Sequence, residues 1–249
     1  MSKHYYIYPT LLDKFQNLLD YDTVAGEPWN AEKPVKQVYD ELEQELLDAI
    51  NRVPQKPSPS ADRGTALNEV VDQRVSGFAQ NRGVSITTNG ENWAAYINDA
   101  IYYFPFSLVN ELSQELCGSI CQRYMETTVP YGEDTVHLYG FCDYWKADTI
   151  IDLKTTSQRG EFGKYADKWQ RYVYPFIATN NGNTVSEMEF LIVELGKIGS
   201  NLTPYVSREI FTYDHAEATY KIMTILDRFI RWLEVNSPRI TDTKIIQLK

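Results

Sequence analysis

Residues 136–156 read VHLYGFCDYWKADTIIDLKTT, and the rest of the chain is organised around them. Two apolar, β-branched runs flank a polar turn at Lys146-Ala147-Asp148. That pattern predicts a hairpin whose second strand, 149–153, is largely buried. The strand nonetheless carries Asp152 and Lys154. Strand side chains alternate, so residues i and i+2 share a face and these two charges leave the sheet side by side. Asp143, near the end of the preceding strand, comes close to them across the hairpin. Two carboxylates and an ammonium beside an apolar strand are costly unless they serve one another or a metal.

Working outward, three consecutive antiparallel strands are expected near 125–131, 135–145 and 148–155, with Gly132-Glu133-Asp134 as the first turn. Upstream, 107–124 carries Leu108, Leu112, Leu116, Ile120 and Tyr124 on one stripe, which predicts a helix that Ser107 could cap. Residues 81–106 hold an NGEN turn and an aromatic cluster, consistent with a small hairpin. A helix starts near Asp62, a plausible N-cap, and runs to about Gln80 with Glu69 between its apolar positions. Downstream, 164–178 predicts a helix with Gln170 and Tyr174 at i and i+4 on one face, interrupted by Pro175. MEFLIVEL at 188–195 reads as a central strand. Residues 205–213 read as an edge strand. Asp214 can cap a final helix reaching about Val235, and 240–249 could add a short strand. Before all this, a helix over 35–53 and a linker with Pro54, Pro57 and Pro59 divide the chain. Residues 1–60 are expected to be an N-terminal helical attachment, and 61–249 the main domain.

The chain has 249 residues, 43% hydrophobic and 23% charged, with 18 Tyr and 5 Trp. This is globular composition with room for one large domain. A net charge of −10 argues against a general nucleic-acid coat protein but not against an enzyme with a local basic rim. No apolar run is long enough to span a membrane. The opening MSKHYYIYPTLLDKF lacks a signal-peptide core. Cys117, Cys121 and Cys142 form no disulfide framework, and a reducing, cytoplasmic setting is expected. No Gly-x-x-x-x-Gly-Lys-Ser/Thr loop is present, so motor activity would have to come from a partner.

The order helix, three strands, helix, strand is that of an α/β domain with a mixed sheet between helical layers. Asp143 and Asp152, with the Leu153 carbonyl nearby, suit Mg²⁺ or Mn²⁺, hard cations that take oxygen ligands and keep waters. A lysine beside such an ion can position water and stabilise phosphate charge. An Asp-x-Lys tripeptide alone is more often a surface ion pair. Here it comes with company. GFCD at 140–143, IIDLKTT at 150–156 and QRYVY at 170–174 together resemble the signature of the PD-(D/E)XK nuclease superfamily, most closely its RecB-type and phage exonuclease branch.

That resemblance implies a restriction-endonuclease-like core and a metal-dependent deoxyribonuclease, an exonuclease of phage or bacterial recombination or repair type. The alternative is a nuclease-fold factor that binds DNA or a protein without cleaving. By the resemblance, Asp143 and Asp152 bind the metal with the Leu153 carbonyl, and Lys154 is the catalytic lysine. Gln170 and Tyr174 line the site. Glu69 matches the acidic position of the first core helix and is the further metal ligand that the resemblance implies, with Asn68 before it in place of a frequent histidine. Three cysteines cannot reproduce the four-cysteine iron–sulfur cluster of some relatives, so none is expected. DNA is the implied partner, with room for a homo-oligomer or a recombination partner protein. Arg63, Arg159, Lys164 and Arg171, near the motif elements, form the expected phosphate-holding rim. Tyr144, Trp145 and Trp169 could stack on bases or fill the core.

Overall fold

The computed structural model describes residues 2–56, 58–80, 82–157, 163–197 and 203–248. In chain order the elements are β1 (Lys3–Ile7), α1 (Pro9–Leu19), α2 (Tyr21–Ala25), α3 (Val35–Ile50), α4 (Pro59–Ser76), β2 (Ser85–Asn89), β3 (Asn92–Ile97), β4 (Ala100–Pro105) and α5 (Phe106–Glu115). There follow β5 (Ile120–Tyr131), β6 (Asp134–Lys146), β7 (Thr149–Thr156), α6 (Gln170–Asn180), β8 (Glu187–Glu194), β9 (Tyr205–Thr212), α7 (His215–Val235) and β10 (Ile246–Leu248). This is an α/β fold whose central mixed sheet is flanked by helices.

The sheet runs β10-β1-β6-β7-β8-β9, with β5 also on β6. β1 is parallel to β6 and β7 to β8; the other pairs are antiparallel. β5 occupies one edge of β6 from Asp134 to Trp145. β1 and β7 must therefore share the opposite edge. β1 takes Thr135 to Leu138, and β7 takes only Tyr144 to Lys146. Between them, residues 139–143 of β6 have no strand on that edge. This split positions the site.

Alternation along β7 and β8 divides the interior into two cores. Ile150, Met188, Phe190 and Ile192 face a core shared with α1, α3, α6 and α7, through Leu12, Phe15, Leu46, Val173, Ile177 and Phe229. Ile151, Leu153, Leu191 and Val193 face a second core built with α4, α5 and the β2-β3-β4 meander, through Leu67, Val71, Phe104 and Leu112. Each fully buried Leu, Ile or Phe contributes about 1.5–3 kcal/mol. β8 is buried on both faces, as expected for a strand beside a parallel neighbour. β9 is an edge strand, and the Asp214 carboxylate caps α7 by accepting the Glu217 N–H at 2.8 Å.

Several boundaries and assignments differ from expectation. The helix predicted over 107–124 ends at Glu115, because Gly118 turns left-handed (φ 82°) and the chain enters β5. Leu108, Leu112 and Leu116 are buried, but Ile120 and Tyr124 are exposed on β5. That helix begins at Phe106, so Ser107 does not cap it. Asp62 lies inside the first turn of α4, which starts earlier, at Pro59. The helix expected over 164–178 is α6, begun only at Gln170, with Pro175 inside it. Residues 1–60, expected as an attachment, contribute β1 to the central sheet and Tyr5, Ile7, Leu11 and Phe15 to its core. The 81–106 segment is the three-stranded meander rather than a hairpin.

Candidate functional site

Asp143 stands at the split in the sheet. The β6–β7 ladder stops at Tyr144↔Ile151, one step short of it. Instead of a strand partner, the Leu153 N–H donates to Asp143 Oδ2 at 2.9 Å. Gln122 Nε2 donates to Asp143 Oδ1 at 3.1 Å from the β5 side. The N–H and C=O of a strand residue leave by the same edge, so the Leu153 carbonyl also faces the split.

Three side chains close a ring beside it. Gln170 Nε2 donates to Asp152 Oδ1 at 2.9 Å, Lys154 Nζ donates to Gln170 Oε1 at 2.7 Å, and Lys154 Nζ lies 2.6 Å from Asp152 Oδ2. Asp152 is 3% exposed, so its charge is largely cut off from water. Tyr174, one turn along α6 from Gln170, packs on Gly140. A Cβ at Gly140 would lie 2.8 Å from the Tyr174 ring, so this glycine is what admits the ring to the split.

Electrostatics follow from this crowding. Burial first, and then the neighbouring Asp152, push the Asp143 carboxyl up to about 7. Lys154, the Leu153 N–H and Gln122 pull it back only partly. For Lys154, burial works against its charge, but Asp152, Asp143 and Tyr165 together outweigh it and its pKa rises. It is therefore an ammonium at neutral pH. Burial and Asp152 raise the Tyr174 phenol, keeping it a neutral hydroxyl.

Three residues with no local sequence signal also bear on the site. Asp13 on α1 accepts the Trp169 N–H at 2.9 Å, fixing the start of α6, and its carboxyl is raised by burial. Gln122 is the second holder of Asp143. Arg82, beyond α4, donates to Glu69 Oε2 at 3.1 Å and to Asp72 Oδ2 at 2.6 Å. None of these contacts follows from composition or from helix or strand periodicity.

The structure thus brings Asp143, Asp152, Leu153, Lys154, Gln170 and Tyr174 together. Glu69 is fully buried on α4, its other oxygen accepting the Gln80 N–H at 2.6 Å, so Arg82 and this backbone group already hold it. Among the described residues, no three His, Cys, Asp or Glu side chains converge as a ready-made metal cluster.

The expected basic rim is dispersed. Arg63 donates to the Gly196 and Leu195 carbonyls at 2.7 and 3.1 Å. Arg171 donates to the Ala166 carbonyl at 2.9 Å and lies over the Phe211 ring at 4.1 Å. Lys164 is exposed in the turn before α6, and Arg159 lies outside the described residues. Tyr144, Trp145 and Trp169 are buried in the cores, so they are not base-stacking surfaces. No helix among the described residues is long and apolar enough to cross a membrane.

No protein-family model and no curated protein matches the chain. Among solved structures, one titled "Crystal structure of SSO0001" is similar to it at a TM-score of 0.42 and 12% identity, over 89% of this chain and 75% of that one. A likeness this slight bears on neither fold family nor activity.

Proposed function

We propose that the chain is a metal-dependent deoxyribonuclease of the PD-(D/E)XK type, with a restriction-endonuclease-like core and DNA as substrate. The observation that carries this reading is the meeting of Asp143, Asp152 and Lys154 at a split in the sheet, bridged by Gln170. The exonuclease assignment rests on the sequence resemblance.

The donor set fits a hard divalent cation. Asp143 and Asp152 supply carboxylate oxygens and Leu153 a carbonyl; burial, and then Asp152, raise the Asp143 carboxyl, and a bound cation would relieve that cost. Two carboxylates suffice for Mg²⁺, which usually keeps several waters. Bound there, Mg²⁺ or Mn²⁺ would supply a Lewis acid and an acidified water. The protein's own groups do the rest. Lys154, held as an ammonium, offers a fixed positive charge to a phosphate oxygen as negative charge builds in the transition state. Gln170 fixes both Lys154 and Asp152, so neither has to reorganise during the reaction. The Tyr174 hydroxyl stays protonated and can donate. A nuclease panel on linear, circular and single-stranded DNA with Mg²⁺ and Mn²⁺, run beside Asp152→Ala, tests the reading. Metal-dependent cleavage lost in the variant is the expected result; no cleavage by wild type with any substrate sinks it.

A second reading, a DNA- or protein-binding factor without turnover, draws on Arg82. Its guanidinium already pairs with Glu69 and Asp72, the two buried carboxylates of α4, and occupies an oxygen of each. DNA retention with no turnover in any metal would favour it.

A further inference from the structure

We infer that Gln122 is the positioning residue for Asp143, an inference that rests on the nuclease reading and names the group that aims its first carboxylate. Gln122 has φ +49°, in the left-handed region. Among the described residues, four other non-glycine residues share a positive φ, namely Arg52, Asn98, Asp99 and Ala147, and all sit in turns; of the five, Gln122 is the one within a strand. A bulky residue held there is strained, and such strain persists only where the surroundings enforce it.

The register shows what the strain accomplishes. β5 and β6 pair at every position from Ile120↔Trp145 to Tyr131↔Asp134 except one, Gln122 opposite Asp143. At that pair both strands turn over. On β6, Val136, Leu138 and Cys142 pack in the α6-side core, yet Tyr144, two residues on, packs in the α4-side core. On β5, Met125 and Val129 face the α6-side core, whereas Cys121, of the same parity, packs against the other. Residues two apart in a regular strand share a face, so the inversion falls at 122/143. Asp143, at the turning point, is directed across the split toward the Leu153 N–H rather than squarely onto either face. The Gln122 amide then holds Oδ1 while the Leu153 N–H holds Oδ2, and the carboxylate plane is fixed from both sides.

The test uses Mn²⁺ affinity, read from the free-ion paramagnetic resonance signal, which does not depend on turnover. Gln122→Gly keeps the left-handed backbone and removes the amide. Gln122→Asn keeps an amide and tolerates the backbone. The expected result is at least a tenfold loss of Mn²⁺ affinity in Gln122→Gly with an unchanged melting temperature, partly recovered in Gln122→Asn. In crystals of Gln122→Gly, the Asp143 carboxylate is expected to have left the Leu153 N–H. A Gln122→Gly protein that binds Mn²⁺ like wild type, with Asp143 unmoved, overturns the inference and leaves the nuclease reading standing. Wild type and Asp143→Asn binding Mn²⁺ equally poorly overturns the reading, and the inference with it.

Discussion

Two partly buried charge clusters are each made of two carboxylates and one cation. On α4, Glu69 and Asp72 stand one turn apart, and the Arg82 fork takes one oxygen from each. At the split, Asp143 and Asp152 come from neighbouring strands, and Lys154 reaches only Asp152. Guanidinium geometry spans two acceptors at once, whereas an ammonium is a point charge. Arg82 therefore ties both carboxylates of the first cluster, although burial still raises the Asp72 carboxyl. The second leaves Asp143 under-neutralised, with its carboxyl raised to about 7. Similar ingredients give a clasp in which one cation bridges both carboxylates in one place, and in the other a pair of which the lysine contacts only one, the pair proposed above to take a metal ion.

The largest effect expected is catalytic. Lys154→Ala and Asp152→Ala should each lower metal-dependent DNA hydrolysis by on the order of 10⁴-fold, measured by release of acid-soluble nucleotides. If Arg82→Ala has as large an effect without loss of structure, the division between clasp and site fails. Arg82→Leu should instead destabilise the fold by about 3–5 kcal/mol in a urea titration, because it strands two buried carboxylates. Gly140→Ala should cost about 1–3 kcal/mol and displace Tyr174, since the added Cβ meets its ring at 2.8 Å. A smaller effect of opposite sign is expected at the split. The Asp143 carboxyl is raised in the folded protein, so below its unfolded value near 3.8 it is protonated in both states and has no effect. From there to about 7 the unfolded chain ionises while the folded one resists, and stability falls as pH rises. Metal-free Asp143→Asn should thus melt higher than wild type at pH 8 and no higher at pH 3. A variant that melts lower at pH 8 would make the split a clasp like the other. The smallest effect concerns thiols: Cys117 is exposed and should be alkylated first at pH 8, while burial pushes Cys142 up to about 12 and keeps it inert until unfolding.

Much of this was legible in the chain because the informative contacts are local. Asp143, Asp152 and Lys154 share one hairpin, and strand periodicity was enough to bring them together; helix periodicity put Gln170 and Tyr174 on one face, and the family resemblance is what carried that face to the site. β8 was legible from its apolar FLIV centre at 190–193, and the α7 cap from Asp214. The 107–124 region was not, because a four-residue apolar spacing continued past Gly118 by coincidence into a strand. Gln122, Asp13 and Arg82 were invisible for a different reason. Each acts through a partner brought near only by the folded chain, and nothing in a glutamine between Cys121 and Arg123 announces an inverted strand. β1 belongs to the same class, since its partner on β6 lies some 130 residues away.

The edge shared by β1 and β7 has a consequence for the order of assembly. During synthesis the hairpin of β6 and β7 can form from neighbouring residues. Lys3–Ile7, made first, must wait for Thr135–Leu138 before one of its edges is covered, and for Ile246–Leu248 before the other is. The gap that exposes Asp143 thus acquires its far wall only when the earliest strand meets much later ones, making the cleft a product of the whole chain's closure rather than of the motif that lines it.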